Sequence, residues 1–473
     1  MAITSSTSTA LDVPSLVSQL MAVERQPIDK LNAKIASYET KISSFGTLSS
    51  LVSGFQTAAK NLNTGLQKLA STPSDPSVLS ATAGTTAVPG NYAVSVSQLA
   101  QSQNLVAAGQ ASSTAAIGDG TATTVTFDLG TISGGTLTNG IYSGAAFTSN
   151  GSGSASITID GSNNSLEGIR DAINAAAMGV TATIVNDGSG TPYRLALSSS
   201  SSGVSNSMEI TTSGGDGSIG SLLAYNPEGT QNLTQTLAAQ NAQLTVNGIA
   251  ITSASNTVSE AIQGVTLSLK NITSTPASLT VARDTTAINT AAATFVDAYN
   301  ALASQIKSRS AYGTTTAAGG SLAGDGTLRL MQDQLRGILM TPASGGTLTT
   351  LGQVGIAFQK DGSLLLDSSK LNSAMAANFS DVTNLFSSST GYATRLEAWA
   401  KSALDAGGLI DTRTQSLTKS VKDQHEAVDK LENRMAALQR KYTTEYTNLN
   451  LLLSRMNSTS TYLTQQLASS QND

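Results

Sequence analysis

One histidine, His425, is the single imidazole of the chain, and there is no cysteine. The missing thiols remove disulfides, thiolate zinc sites, iron–sulfur clusters and a cysteine nucleophile at once. A Ser-His-Asp arrangement on His425 fails on context. The residue stands between Lys422 and Glu426 in a charged run with helical patterning, where no loop can bring a nucleophile and an oxyanion hole around it. Three glycine-rich pieces, Gly118–Gly120, Gly151–Gly153 and Gly324–Gly326, invite a phosphate loop. No Gly-Lys pair occurs anywhere, however, and none of the three opens a well-marked helix after a buried strand, so they read as turns. Asp187-Gly188-Ser189-Gly190 and Gly215-Asp216-Gly217 offer carboxylates to calcium, but neither completes a calcium-loop spacing. What stays open to enzyme chemistry is a pair of the 31 carboxylates meeting in space across a glycosidic bond. The chain reads as a non-enzyme with no cofactor and no metal.

Charge narrows the partners. Lys and Arg number 26 against 31 Asp and Glu, a net charge of -5, which argues against a nucleic-acid partner. The basic residues Lys419, Lys422, Lys430, Arg434, Arg440 and Lys441 alternate with Asp423, Glu426, Asp429 and Glu432, and pairs such as Glu426 and Lys430 are spaced to interact along a solvated helix face. From Gly84 to Leu269 the only basic residues are Arg170 and Arg194, so that long middle stretch is acidic. Nothing approaches about 18 consecutive apolar residues, so no membrane insertion is expected. The first basic residue is Arg25, so the cationic start of a cleaved signal peptide is missing, and these signals alone point to the cytoplasm.

The elements follow from proline placement and periodicity. All nine prolines lie at or before Pro342, and a second proline-free run lies between Pro27 and Pro73, so both ends permit long helices. In the C-terminal run Val421, Val428, Met435, Tyr442, Leu449, Met456 and Leu463 recur every seven residues, with Leu417, Leu431, Leu438 and Leu452 on the companion position. Gln424, Glu445, Thr459 and Gln466 share that companion position, so the seam is weak and needs a further partner. The N-terminal run places Ile28, Leu31, Ile35, Tyr38, Ile42 and Phe45 three and four apart, and continues through Leu48 and Leu69 after one phase slip. An antiparallel pair of chain ends is predicted, with everything between them carried as an insertion in an elongated molecule. Between Ser74 and Arg283 the pattern turns to short alternating strands such as Ala155-Ile157-Ile159, Val180-Ala182-Ile184 and Leu267-Leu269. Two stretches look like weak copies of a strand, turn, short helix and strand, with Asp171–Asn174 and Glu260–Gln263 as the short helices. After Arg283 helices return, interrupted by a hairpin at Ile356–Asp367, for which Asp361-Gly362 predicts a tight two-residue turn.

Several stretches carry a resemblance. ALDVPSLVSQLMAVERQPIDKL, Ala10 to Leu31, resembles the opening signature of the bacterial flagellar filament-capping family, a hook-associated group. LQRKYTTEYTNLNLLLSRMNSTSTYLTQQL, Leu438 to Leu467, resembles that family's C-terminal helix, and RDTTAINTAAATFVDAYNAL and LGQVGIAFQKDGSLLLDSSKL resemble its C-terminal half. The Ile173-Asn174 pair resembles the flagellin hook motif. The resemblance implies an α+β multidomain fold: antiparallel terminal helices in a coiled-coil leg, a mostly helical domain, and inserted β-rich domains forming a plate. The corresponding segments are 1–40 with 425–473, 41–74 with 284–424, 75–110 with 231–283, and 111–230, the last holding the hook-like motif. The implied location is extracellular, at the tip of the flagellar filament, reached through the flagellar type III apparatus without a cleaved signal peptide. Implied partners are further copies in a closed ring of about four to six, flagellin, hook–filament junction proteins, an export chaperone at the C-terminal helix, and host mucin glycans. The residues assigned to the seam and assembly surface are Leu16, Leu20, Ile28, Leu31, Ile35 and Ile42 at one end, and Leu431, Leu438, Leu449, Leu452 and Leu463 at the other. Rivals are a hook–filament junction protein, a secreted adhesin or carbohydrate-binding module using the β-rich insertion, and a polysaccharide or peptidoglycan hydrolase.

Overall fold

Asp12 opens the first helix. Its carboxylate accepts the Ser15 N–H at 3.1 Å, and Pro14 sits in the first turn where no N–H is needed, giving α1, Val13–Glu24. Pro27 has no N–H for the Val23 carbonyl, so the helix breaks at Arg25 and restarts as α2, Gln26–Gly65. The fold is that of a computed structural model describing residues 11–314 and 318–470, with side chains to residue 468; the outermost parts of the end segments, residues 1–10 and 471–473, lie outside the described residues. The protein divides into two compact units, one from its two ends, up to Leu66 and from Thr285, and one spanning Gln67–Asp284.

The inserted unit holds two β cores. In the first, a five-stranded sheet runs in the order Leu69–Pro73, Ala277–Arg283, Gly90–Gln98, Ala242–Val246, Ile249–Ser253, every pair antiparallel. It shares its core with a three-stranded sheet, Thr257–Ile262, Val265–Leu269 and Leu79–Ala83, through alternate apolar residues such as Val94, Val96, Leu244, Leu267 and Leu279. Leu69–Pro73 falls in the stretch that the sequence places with the helical segment 41–74. It belongs to this sheet, because Ala277–Arg283 satisfies its backbone.

The second β core fills residues between Leu105 and Leu233. Its longest strand, Thr123–Thr138, pairs with Ser207–Gly214 along one edge and with Ala155–Ile159 and Ile141–Ser149 in succession along the other. A second sheet orders Thr234–Leu237, Asn104–Val106, Tyr193–Ser199 and Val180–Asn186. Two helices pack here, α3 at Leu166–Ala175 and α4 at Ser218–Leu223, with Ile169, Ile173, Ile219 and Leu223 in the core. Of the two expected short helices, only the first forms. Ser165 caps α3 by accepting the Gly168 N–H at 3.1 Å, whereas Glu260–Ile262 is strand. There Asn256 bonds both backbone groups of Ala100, at 2.7 and 2.9 Å, and only six residues, three of them β-branched, separate it from the reversal at Gln263-Gly264.

The helical unit continues with α5 (Thr285–Ser310), α6 (Gly326–Met340), α7 (Ser368–Ser387), α8 (Tyr392–Leu404) and α9 (Leu409–Ser470). Their main core centres on Phe55 of α2, whose ring centroid lies 5.6 Å from Phe295, 6.0 Å from Tyr299 and 6.4 Å from Trp399. The hairpin between α6 and α7 pairs Ile356–Phe358 with Leu364–Leu366. Its turn is not the two-residue kind. Only Gly362 has positive φ, at 92°, and Gln359 accepts the Gly362 N–H at 3.1 Å, which makes a three-residue loop with a left-handed glycine. The Asp361 carboxylate prefers to accept the Ser363 N–H and hydroxyl, at 3.0 and 2.6 Å, which holds it out of the left-handed region. Asn300 of α5 completes the hairpin's outer edge, donating to the Leu364 carbonyl at 2.8 Å and accepting its N–H at 2.7 Å.

Candidate assembly surface on the terminal helices

The seam between the two ends is short and specific. Val17, Met21 and Ile28 bury against Met435, flanked by the partly buried Val13, Val428, Leu431, Leu438, Tyr442 and Tyr446. Across the break between α1 and α2, Arg25 reaches Glu432 at 2.6 Å, an exposed pair worth less than about 1 kcal/mol. At the far end, Leu11 donates its N–H to the Asn450 side chain at 3.0 Å.

On α9 the seam positions are 428, 431, 435, 438, 442 and then 446, a step of four where the heptad has three. The reason is helical geometry. Seven residues fall about 20° short of two full turns, so in a helix that is not strongly supercoiled a strict heptad row drifts about 60° in three repeats. Tyr446 and Asn450 therefore take over the inner face. Leu449 and Leu452 turn outward, 42% and 55% exposed, and Leu463 is 53% exposed. Of the assigned residues, Ile28, Leu431 and Leu438 meet on the seam. Ile35 is buried, Leu31 half-buried, and Ile42 packs at the margin of the main helical core. Leu16 and Leu20 are half-buried outside the seam cluster, and their places are taken by Val17 and Met21 one position on. The signal for that was present: 13, 17, 21 and 28 lie on one helical stripe, whereas 16, 20 and the exposed Val23 lie on the next.

Beyond Asn450, Leu451, Leu452, Met456, Leu463 and Leu467 remain solvent-exposed along the last turns of α9, which at about 1.5 Å per residue runs about 93 Å over its 62 residues. His425 stands exposed on the same helix. The ion pairs along α9 are Lys419–Asp423 at 3.0 Å and Lys441–Glu445 at 3.8 Å; Glu426 and Lys430 stay further apart. Among the described residues no cluster of three or more metal-ligating side chains occurs, and no helix is long and apolar enough to cross a membrane.

The Ile173-Asn174 pair has a clear structural task. Ile173 is fully buried. Asn174 donates to the Ala182 carbonyl at 2.9 Å and accepts the Ala182 N–H at 2.8 Å, so its amide blocks the free edge of the strand Val180–Asn186.

The described architecture is a pair of terminal helices with apolar surface left exposed on α9, a helical core that draws on both, and a β-rich insertion. Comparison places it more narrowly. The model of the flagellar hook-associated protein 2 N-terminus matches residues 9–103, that of its C-terminus residues 239–458, and the flagellin hook IN motif residues 146–201. Flagellar hook-associated protein 2 of Escherichia coli K12 is 35% identical, over 98% of this chain and 97% of its own length. The B-type protein of Pseudomonas aeruginosa is 32% identical, over 97% and 96%. The crystal structure of the D1-D2-D3 domains of the flagellar cap protein FliD from Escherichia coli superimposes with a TM-score of 0.68 at 34% identity, covering 79% of this chain and 99% of that one. The chain belongs to the flagellar hook-associated protein 2 family, the flagellar cap proteins.

Proposed function

We propose that this protein caps the filament tip as a homo-oligomeric ring, retaining exported flagellin and promoting its polymerisation, and that it does so without catalysis. The supporting observation is the apolar surface that α1 leaves uncovered on α9, from Leu449 to Leu467, in a member of the cap family. Each such side chain gains about 1.5–3 kcal/mol on full burial, enough for a neighbouring copy, flagellin or a hook–filament junction protein to hold the helix. The same surface suits an export chaperone before secretion through the flagellar apparatus. Labelling the full-length protein on intact flagella tests the reading: signal confined to filament tips supports it, and signal along the shaft or absent from flagella overturns it.

A second reading, adhesion to mucin glycans, draws on the cleft of about 650 Å³ in the inserted unit, bounded by Val88, Tyr92, Ile249 and Glu260. Binding of the full-length protein on a glycan array, lost on changing Tyr92 and Glu260, supports this second role; an empty array removes it.

A further inference from the structure

The sequence holds three Asn-Gly pairs, Asn139-Gly140, Asn150-Gly151 and Asn247-Gly248. The fold treats them differently. Asn139 and Asn247 have φ of 51° and 50° and precede glycines at 81° and 82°, in two-residue turns that close Thr138 on Ile141 and Val246 on Ile249. In that left-handed backbone the next residue's nitrogen lies roughly anti to Cβ, on the far side from the carboxamide carbon. Asn247 is held further, since its Oδ1 accepts the Ala93 N–H at 2.8 Å.

Asn150 lies in an exposed loop after the strand Ile141–Ser149, with no left-handed φ. Its Oδ1 accepts both the Ser152 N–H at 2.9 Å and the Ser152 hydroxyl at 2.6 Å. The Gly151 N–H donates to Ser149 Oγ at 3.3 Å. Two donors on the carboxamide oxygen withdraw charge from Cγ and stabilise the oxyanion that attack would create. The neighbouring hydroxyl oxygen offers a first acceptor for the amide proton. Apart from its chain neighbours Asn150 and Ser152, no atom lies within 4 Å of where a Cβ on Gly151 would stand, so no other part of the fold crowds the loop there.

We propose that Asn150 is a site of self-catalysed deamidation. The Gly151 nitrogen attacks Asn150 Cγ and forms a new bond to it as its proton leaves; the Cγ–Nδ2 bond of the carboxamide breaks, and ammonia departs with a proton. Water opens the resulting cyclic imide at either carbonyl, leaving aspartate or isoaspartate. One water is consumed and one ammonia released, with no oxidant or cofactor. The product loses the N–H that Asn150 donates to the Ser205 carbonyl at 3.0 Å and sets a negative charge there instead. The nearby Asp128 carboxylate already accepts the Ser149 hydroxyl at 3.0 Å, so the new charge adds to an acidic surface and unties the loop from Val204–Asn206.

The test is site-resolved peptide mass spectrometry on the full-length protein held at mildly alkaline pH, folded and in urea. Folded, Asn150 converts at least about five-fold faster than Asn139 or Asn247, and in urea the three rates converge, because only the shared Asn-Gly sequence then acts. Ser152→Ala slows Asn150 by about two- to five-fold, leaves the other two sites unchanged, and has no core contact to disturb. Equal folded rates, conversion led by Asn139 or Asn247, no conversion at Asn150, or an unchanged rate in Ser152→Ala would each overturn the assignment.

Discussion

Single asparagine amides do much of the local work in this protein. Asn174 and Asn300 each occupy both backbone groups of one strand residue from a neighbouring helix. Replacing Asn174 with leucine keeps the size but leaves the Ala182 N–H and carbonyl to water. A loss of about 1–2 kcal/mol is expected in urea unfolding of the inserted unit, at the scale of two net hydrogen bonds. An unchanged midpoint would show that the strand edge needs no partner. Acid acts through carboxylates of the same turn-making kind. Asp75, Asp160 and Asp216 are held below the usual carboxylate range by serine hydroxyls or backbone N–H groups that they accept, and Asp187 is held there first by the Arg194 guanidinium at 2.5 Å. A carboxylate depressed in the folded state binds fewer protons there than when unfolded. Its stabilisation is therefore complete above the unfolded value of about 4 and is lost as pH falls below it. Glu209, raised by burial and then by the neighbouring Asp128, acts in the opposite sense and is outnumbered. These four and Asp171, lowered by the Arg170 guanidinium beside it, make five depressed acids in the inserted unit, against Asp361 in the helical one. As pH falls from about 5 to about 2, the β-rich unit should lose amide-exchange protection before the helical core does; the reverse order would contradict this assignment.

At the scale of elements, long periodic runs were legible and short ones were not. Seven heptads announced α9, and proline-free spacing announced α2, because a long helix repeats its stripe often enough to outvote exceptions. Glu260–Gln263 misled because four residues carry no period, and the Asn256 contacts with Ala100 that make the region extended join residues 156 positions apart. The hairpin's position was readable from Asp361-Gly362, but its turn type depended on where the aspartate chose to hydrogen-bond. The seam between the chain ends was half legible: the heptad row is real in sequence, yet a helix that keeps near 3.6 residues per turn rotates Leu449 off the seam that Leu438 occupies. The two leucines therefore separate in experiment. Leu438→Asp sets a charge against Met435 and the α1 stripe and should cost about 2 kcal/mol or more of helix pairing, seen as earlier proteolysis within residues 11–30. Leu449→Asp in the purified protein should change neither protease sensitivity nor thermal midpoint. Equal effects of the two would mean that both face α1.

For the molecule as a whole, the proposed cap function rests on the apolar surface that α9 keeps exposed beyond its seam with α1. Burial, not chemistry, is what the far part of α9 lacks. The most direct measurement uses a strain whose only copy of this protein carries Leu449→Asp with Leu452→Asp, set beside a strain carrying His425→Ala, with motility and unpolymerised flagellin in the medium as readouts. The leucine variant should purify as a folded protein, yet its strain should be immotile and leak flagellin, while the His425 variant swims normally. A motile leucine variant with full-length filaments, or an immotile His425 variant that is properly folded, would contradict the account.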